Sequence, residues 1–370
     1  MSSSITSTET KIDKQDFIKE LLNDFSVMCL SREASLLGRK EVLTGKAKFG
    51  IFGDGKELPQ IVMAKFFRNG DIRSGYYRDQ TFMMATDNLS VKEFFAGLYA
   101  HTDIQKEPTS AGRQMGGHFS TRLIDENGKW LNLTEQKNST SDISPTAGQM
   151  PRLVGLGLAS KIYRNNKELS HLTNFSKNGD EIAFGTIGDA STSEGVFWES
   201  INAACVLEIP VVMSIWDDGY GISVPKKYQT TKESISEAMA GFELDDNTNG
   251  LKIFRCKGWD YQDLYAAYKN ATEFTRKHHK PSLIHVEEIT QPQGHSTSGS
   301  HERYKSKERL AWAKEFDCIS KFKEWLLSSN NGLGKPISTL DELNKIEKDA
   351  KAEVKSIAKE AWKEFIQDIE

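Results

Sequence analysis

Apolar residues recur at steps of three and four over residues 14–40, where Phe17, Leu21, Leu22, Phe25, Met28 and Cys29 fall on one helical face. The same spacing predicts helices over 58–68, 90–101 and 151–163, with a glycine-rich loop at 41–56. From about residue 150 the period changes. Short apolar runs at 182–187, 211–216, 251–256 and 283–286 read as strands, and stretches at 195–207 and 261–277 read as helices between them. Strands alternating with helices of this length predict an α/β fold, a parallel sheet flanked by helices on both faces. Residues 102–149 are rich in Gly, Ser, Thr and Asn, the composition of a long functional or mobile loop.

After a polar loop at 288–308, helices are expected at 309–328 and 339–368. The last carries Leu340, Leu343, Ile346, Ala350, Val354, Ile357, Ala361 and Phe365 on one stripe, with Lys and Glu opposite. Such a stripe fits either its own domain or a partner chain. Residues 1–11 are polar and read as a disordered tail. The expected organisation is that tail, an α/β domain over 12–330 and a C-terminal helical segment over 331–370.

Composition adds limits. The 370 residues are 38% hydrophobic and 27% charged, enough for a sizeable core. The net charge of −4 with no basic patch argues against a nucleic-acid partner. No apolar run reaches the ~18–20 residues that cross a bilayer, and the N-terminus lacks the apolar core of a secretory signal, so a cytoplasmic protein with no membrane partner is expected. Cys29, Cys205, Cys256 and Cys318 lie far apart, which disfavours zinc and disulfide frameworks.

Two segments carry candidate chemistry. GTIGDASTSEG, residues 185–195, joins a strand to a helix, with Ser191 and Glu194 at capping-box spacing. A helix start after a parallel strand suits an anion. Asp189 there would repel phosphate unless it held a cation. IWDDGYGIS, residues 215–223, ends the next strand on Asp217 and Asp218. Asp189 and Asp218 are one strand–helix–strand unit apart, so both sit at the carboxyl edge of the sheet, where ligands of such sheets bind. They read either as two carboxylates for Mg²⁺ with substrate phosphates or as two solvated loop acids. Around FGDGKE, residues 52–57, Gly50-x-x-x-x-Gly55-Lys56 has P-loop spacing, but Glu57 stands where Ser or Thr must hold Mg²⁺ and Asp54 repels phosphate. Of the histidines, His118 and His295 lie in Gly/Ser-rich loops and stand out, His101, His278, His279 and His301 read as surface residues, and His285 reads as a core residue.

Gly-Asp-Ala, 26 residues, then Asp-Asp resembles the thiamine diphosphate signature. The chain resembles the alpha subunit of 2-oxo acid dehydrogenase E1 components from about residue 30 to 330. The likeness extends to YYRDQ (76–80), GRQMGGHF (112–119), SPTAGQMPRLVGLGLA (144–159) and GHSTSGSHERYKS (294–306). The second and last of these lean to the branched-chain type. The resemblance implies the thiamine diphosphate-binding fold of the diphosphate (PP) type. Asp189 and Asp218 would hold Mg²⁺ through carboxylates and Tyr220 through its carbonyl. Tyr77 and Arg78 would bind the diphosphate, with Gly188, the backbone N–H groups of Ala190 and Ser191, and Ile222 around it. Ser144 and Thr146 would lie near the aminopyrimidine, and His295 and His118 near the reacting centre.

The implied reaction is oxidative decarboxylation of a small 2-oxo acid, branched-chain, pyruvate or acetoin-type, with acyl transfer to the lipoyl domain of E2. The glutamate that activates the cofactor would come from an E1 beta subunit, separate or fused in a longer parent, in an α₂β₂ assembly. The stripe at 340–365 is one candidate contact for it. A catalytically silent alpha-like scaffold and a self-sufficient transketolase-type enzyme are the other readings. Several positions depart from the family. Ala190 replaces a glycine, and a positive φ there would strain it. Thr146 replaces an apolar residue, and only Gln149 remains of a monovalent-ion loop. Asp218 replaces a neutral Asn, adding a charge that Arg78 and helix N–H groups are expected to offset. Ser296 matches a regulatory phosphosite of some relatives or is an ordinary loop serine.

Overall fold

The computed structural model describes residues 14–367 and 369. The tail expected at 1–11 lies outside them. The first half contributes α1 (Lys14–Leu43), α2 (Glu57–Phe66), β1 (Ile72–Ser74), α3 (Gln80–Ala85), α4 (Val91–Tyr99), β2 (Asn138–Ser139) and α5 (Gln149–Asn165). There follow β3 (Ala183–Gly188), α6 (Gly195–Leu207), β4 (Val211–Trp216), the hairpin β5 (Tyr220–Gly221) and β6 (Val224–Pro225), and α7 (Ile235–Ala238). The chain continues through β7 (Lys252–Lys257), α8 (Tyr261–His278), β8 (Ser282–Glu287), α9 (Lys307–Glu315), α10 (Cys318–Leu327) and α11 (Leu340–Gln367).

Six strands form one sheet in the order β2-β1-β3-β4-β8-β7, and every neighbouring pair is parallel. The period of two along a strand explains why its centre is apolar throughout. Val211, Met213 and Ile215 of β4 face one core with Leu283 of β8, against Leu153 of α5 and Phe197 and Ile201 of α6. Val212 and Trp216 face the other core with Ile284 and Val286, against Ile61 of α2 and Leu264 and Tyr268 of α8.

Several expectations need correction. The edge strand β2 and its neighbour β1 are too short and polar to show as apolar runs. The single helix expected at 309–328 breaks into α9 and α10, because Asp317 caps a new start by accepting from Ile319 N and Ser320 N. His101 is buried rather than on the surface. The spacing Ser-x-x-Glu forms a capping box at Ser90 and Glu93 before α4 but not at Ser191 and Glu194. There a short 3₁₀ turn (Ala190–Ser193) intervenes, and Glu194, in extended backbone, is itself the residue before α6.

The stripe on α11 packs on the chain itself. Leu343, Ala350, Val354, Ala358 and Ala361 are buried in the same core as α1 and α4. Trp362 and Phe365 lie 5.0 and 6.2 Å from the Tyr99 ring. A partner chain therefore does not need this stripe, and the expectation that it serves a beta subunit is set aside.

Candidate functional site

Gly188 and Trp216 are in register at the ends of β3 and β4. Asp189 and Asp217–Asp218 therefore leave the sheet side by side. Asp189 N still donates to Trp216 O at 3.2 Å and Asp217 N to Val286 O at 2.9 Å, extending the ladder one residue past the strands. A cavity of about 320 Å³ opens at this edge. Tyr77, Arg78, Thr146, Gly188, Asp189, Ala190, Ser191, Asp218, Tyr220, Ile222 and His295 line it, so the structure gathers every expected binding residue except Ser144. Tyr76, Trp216, Gly221 and Gln229 also line it and were not foreseen.

The three aspartates are buried yet differ in charge environment. Asp217 turns into the fold. Its Oδ1 accepts from Gly219 N at 2.9 Å, and its Oδ2 accepts from Lys226 Nζ at 2.8 Å and contacts His285 Nε2 at 3.1 Å. Burial alone would raise its pKa, but the His285 and Lys226 contacts hold it down to about 2. Asp218 Oδ2 accepts from Lys56 Nζ at 3.1 Å and Oδ1 from Tyr220 N at 3.2 Å. Against its burial, Lys56, Lys305 and Arg78 hold its carboxyl below the usual range. Among the described residues Asp189 Oδ2 is buried without a hydrogen-bond partner. Burial, with Asp218 and Asp217 nearby, pushes its carboxyl well above the usual range.

The adjacent acids are thus neutralised one by one, Asp217 by Lys226 and Asp218 by Lys56. The expectation for Asp218 named Arg78 and helix N–H groups; the direct counter-ion is Lys56, with Arg78 adding to it at longer range. Arg78 is committed elsewhere. Its Nη1 donates to Phe52 O at 2.7 Å, and its Nη2 donates to His295 O and to His295 Nδ1, both at 2.9 Å. Because a guanidinium only donates, Nδ1 accepts and the His295 proton sits on Nε2. Burial, and then Arg78 beside it, lowers the His295 pKa to about 4, so the ring is neutral at pH 7.

Lys56 was missed because its partner lies 162 residues away. The turn that bears it, sought as a P-loop, instead clamps the 291–297 loop. Asp54 Oδ2 accepts from Gln293 N at 2.9 Å, and Thr297 N donates to Gly50 O at 3.0 Å. The approach is close enough to require glycine. A Cβ on Gly55, at φ +87°, would meet Thr290 O at 2.1 Å, and one on Gly53 would meet Arg78 O at 2.2 Å.

His118 and Ser144 pair with each other. His118 Nδ1 meets Met115 O at 3.0 Å, so Nδ1 carries the proton and Nε2 accepts from Ser144 Oγ at 2.7 Å. Burial lowers the His118 pKa, and its ring lies 6.1 Å from that of Tyr77. A fully buried Arg73 fastens these loops together. It donates to Asp79 at 2.8 Å and to Asp142 at 2.9 and 3.0 Å, while Asp142 accepts from Phe119 N at 3.1 Å. Asp79 follows Arg78, Asp142 precedes Ser144 by two residues, and Phe119 follows His118. One guanidinium therefore sets three loops of the site.

Ala190 carries no positive φ and sits in right-handed 3₁₀ backbone, so the strain expected there is absent. Its methyl is tolerated because residue 221 is glycine, whose added Cβ would lie 2.8 Å from Ala190 Cβ. The strain lies instead at Ile222, a β-branched residue at φ +58° and 62% exposed on the cavity wall.

A hydrated divalent cation fits this donor set. Asp189 offers a buried, unsatisfied carboxylate oxygen, and a carboxylate oxygen of Asp218 can accept further contacts besides those it makes. Among the described residues no three His, Cys, Asp or Glu side chains converge as a metal cluster. A cation here must complete its shell with backbone, phosphate or water oxygens, as Mg²⁺ does.

The sequence model of the dehydrogenase E1 component family matches residues 26–370. The chain is 28% identical over 314 residues to the 2-oxoisovalerate dehydrogenase subunit alpha of Bacillus subtilis (strain 168), spanning 83% of this chain and 82% of that one. It is 26% identical over 287 residues to the human mitochondrial 2-oxoisovalerate dehydrogenase subunit alpha, covering 77% of this chain and 55% of the relative. With the Arabidopsis thaliana mitochondrial subunit alpha 1 it shares 25% over 284 residues, covering 76% and 52%. The match thus spans most of the bacterial relative but only about half the length of these two mitochondrial ones. Among the described residues no helix is long and apolar enough to cross a membrane.

Proposed function

The chain belongs to the dehydrogenase E1 component family, and from that membership we propose that it is the alpha subunit of a thiamine diphosphate- and Mg²⁺-dependent 2-oxo acid dehydrogenase, acting on a small branched-chain 2-oxo acid. The observation that carries the reading is the unsatisfied, buried Oδ2 of Asp189 beside Asp218 at the edge of a cavity lined by Arg78. Asp189, Asp218 and the Tyr220 carbonyl would hold Mg²⁺, and Tyr77, Arg78 and the backbone of Ala190 and Ser191 would hold the diphosphate. The bound thiazolium supplies a carbanion for the keto carbon and an electron sink as carbon dioxide departs.

The chain's own residues serve that chemistry in distinct ways. Neutral His295 presents Nε2–H as a donor without adding charge. His118, held by Ser144, sets its ring near that of Tyr77, and Arg73 fixes the loops that carry Arg78, His118 and Ser144. The activating carboxylate of the cofactor would come from an E1 beta subunit, separate or fused in a longer parent, in an α₂β₂ assembly, and the acyl acceptor would be the lipoyl domain of E2.

The test is to titrate thiamine diphosphate with Mg²⁺ into the chain, alone and with its beta partner, and to follow decarboxylation of 2-oxo acids. Binding and turnover that need both chains are expected. Turnover by the lone chain would overturn the split site, and absence of binding even with the partner would make this a non-catalytic alpha-like subunit.

A further inference from the structure

Lys56 lies behind the cavity wall, 1% exposed, with its ammonium between two acceptors. Asp218 Oδ2 is at 3.1 Å and Gln291 Oε1 at 3.1 Å. Gln291 Nε2 in turn donates to Gly294 O at 2.7 Å, next to His295. A buried ammonium is costly unless paired, and this one is paired to the carboxylate that faces the cavity. Of the two acids lining that cavity, Asp218 is neutralised from behind by the protein and Asp189 is not. The Lys226 Nζ contact goes to Asp217, and Lys305 Nζ lies over the Tyr220 ring at 4.9 Å.

We propose that Lys56 is a positioning residue that acts through Asp218, as a built-in counter-ion that holds this carboxylate and the His295 loop in place and sets the charge balance of the site between cation and diphosphate. The inference rests on the reading of the cavity as a cation–diphosphate site. Its consequence is a pair of opposite signs. Lys56 repels a divalent cation approaching Asp218 and attracts an anion placed beyond it. Removing the ammonium should therefore tighten one ligand and loosen the other, whereas loss of a merely structural residue would weaken both.

The experiment uses the full chain with its beta partner and the variants Lys56→Met, Asp218→Asn and the double variant. Free Mn²⁺ binding is read by electron paramagnetic resonance and inorganic diphosphate binding by tryptophan fluorescence, since Trp216 lines the cavity. K56M is expected to bind Mn²⁺ about tenfold tighter and diphosphate about tenfold weaker. D218N, which keeps the ammonium but removes its partner's charge, should shift both affinities the other way. The double variant should show strong coupling, lying nearer wild type for diphosphate than K56M does. If K56M does not fold, Lys56→Gln, which drops the charge but keeps a hydrogen-bond donor, is read in its place with the same pair of opposite shifts expected and parallel weakening overturning the proposal. Parallel weakening of both ligands in K56M, or a D218N variant whose diphosphate affinity does not rise, overturns the proposal while leaving the site reading intact. Wild-type protein that binds neither ligand overturns both.

Discussion

At the scale of single residues, the site turns on how three neighbouring carboxylates are kept from repelling one another. Position in the fold gives each a different state. Asp217 is fastened by Lys226 and His285 and Asp218 by Lys56, while Asp189 Oδ2 is left without a hydrogen-bond partner among the described residues. The Asp217 pKa of about 2, against an ordinary 3.8, makes a stability statement. A depressed carboxyl stabilises above its unfolded pKa and loses that contribution as pH falls through the folded one. On the order of 2 kcal/mol should therefore disappear between about pH 4 and pH 2. Urea unfolding of wild type and Asp217→Asn across pH 5 to 2 should show the wild type losing that much more; parallel profiles would contradict it. The acids were legible in the sequence because they adjoin strand ends. Their lysines were not, since Lys56 and Lys226 are ordinary lysines until the fold sets them against the carboxylates.

At the scale of elements, loops do the work and glycines set their spacing. The hairpin of β5 and β6 has a two-residue connection beginning at Ile222, whose φ of +58° disfavours a β-branched side chain. Strain of this kind costs about 1–3 kcal/mol and persists where the position serves a ligand. Ile222→Gly is expected to raise stability by about 1 kcal/mol in denaturant titrations and to weaken thiamine diphosphate binding several-fold. A variant that gains stability with unchanged affinity would show that the side chain does not contact the ligand. The clamp between residues 50–56 and 291–297 is the element-scale feature least visible beforehand. Gly50 to Lys56 offers the spacing of a phosphate loop, but the Gly50 carbonyl and Asp54 are spent on the neighbouring loop. Local sequence shows that a tight turn exists and says nothing of what it touches.

At the scale of the whole molecule, α1, α4 and α11 form a helical layer that shares its core with one face of the sheet. Val354, 1% exposed, lies at its centre. Val354→Asp would bury an unpaired charge and should lower stability by roughly 3–5 kcal/mol. Lys355→Ala on the exposed face of the same helix should change it by no more than about 0.5 kcal/mol. Equal denaturation midpoints for the two variants would mean that α11 is not part of the cooperative unit. Because the stripe is covered from within, the proposed contact with a beta subunit must be sought on other surfaces. The exposed Ile222, Val224 and Tyr228 near the cavity mouth are reasonable places to begin.

The sequence by itself determined the alternation of strands and helices, the parallel sheet, and the placement of Asp189 and Asp218 at one edge. Each of these follows from periodicity and chain order, which are local and countable. It also carried the segments that place the chain among E1 components. Only the tertiary structure decided which cation faces which acid, that Ala190 avoids a strained backbone while Ile222 does not, and that α11 is packed against its own chain. Those outcomes depend on contacts between residues distant in sequence, where burial and charge are set by neighbours that no local pattern names.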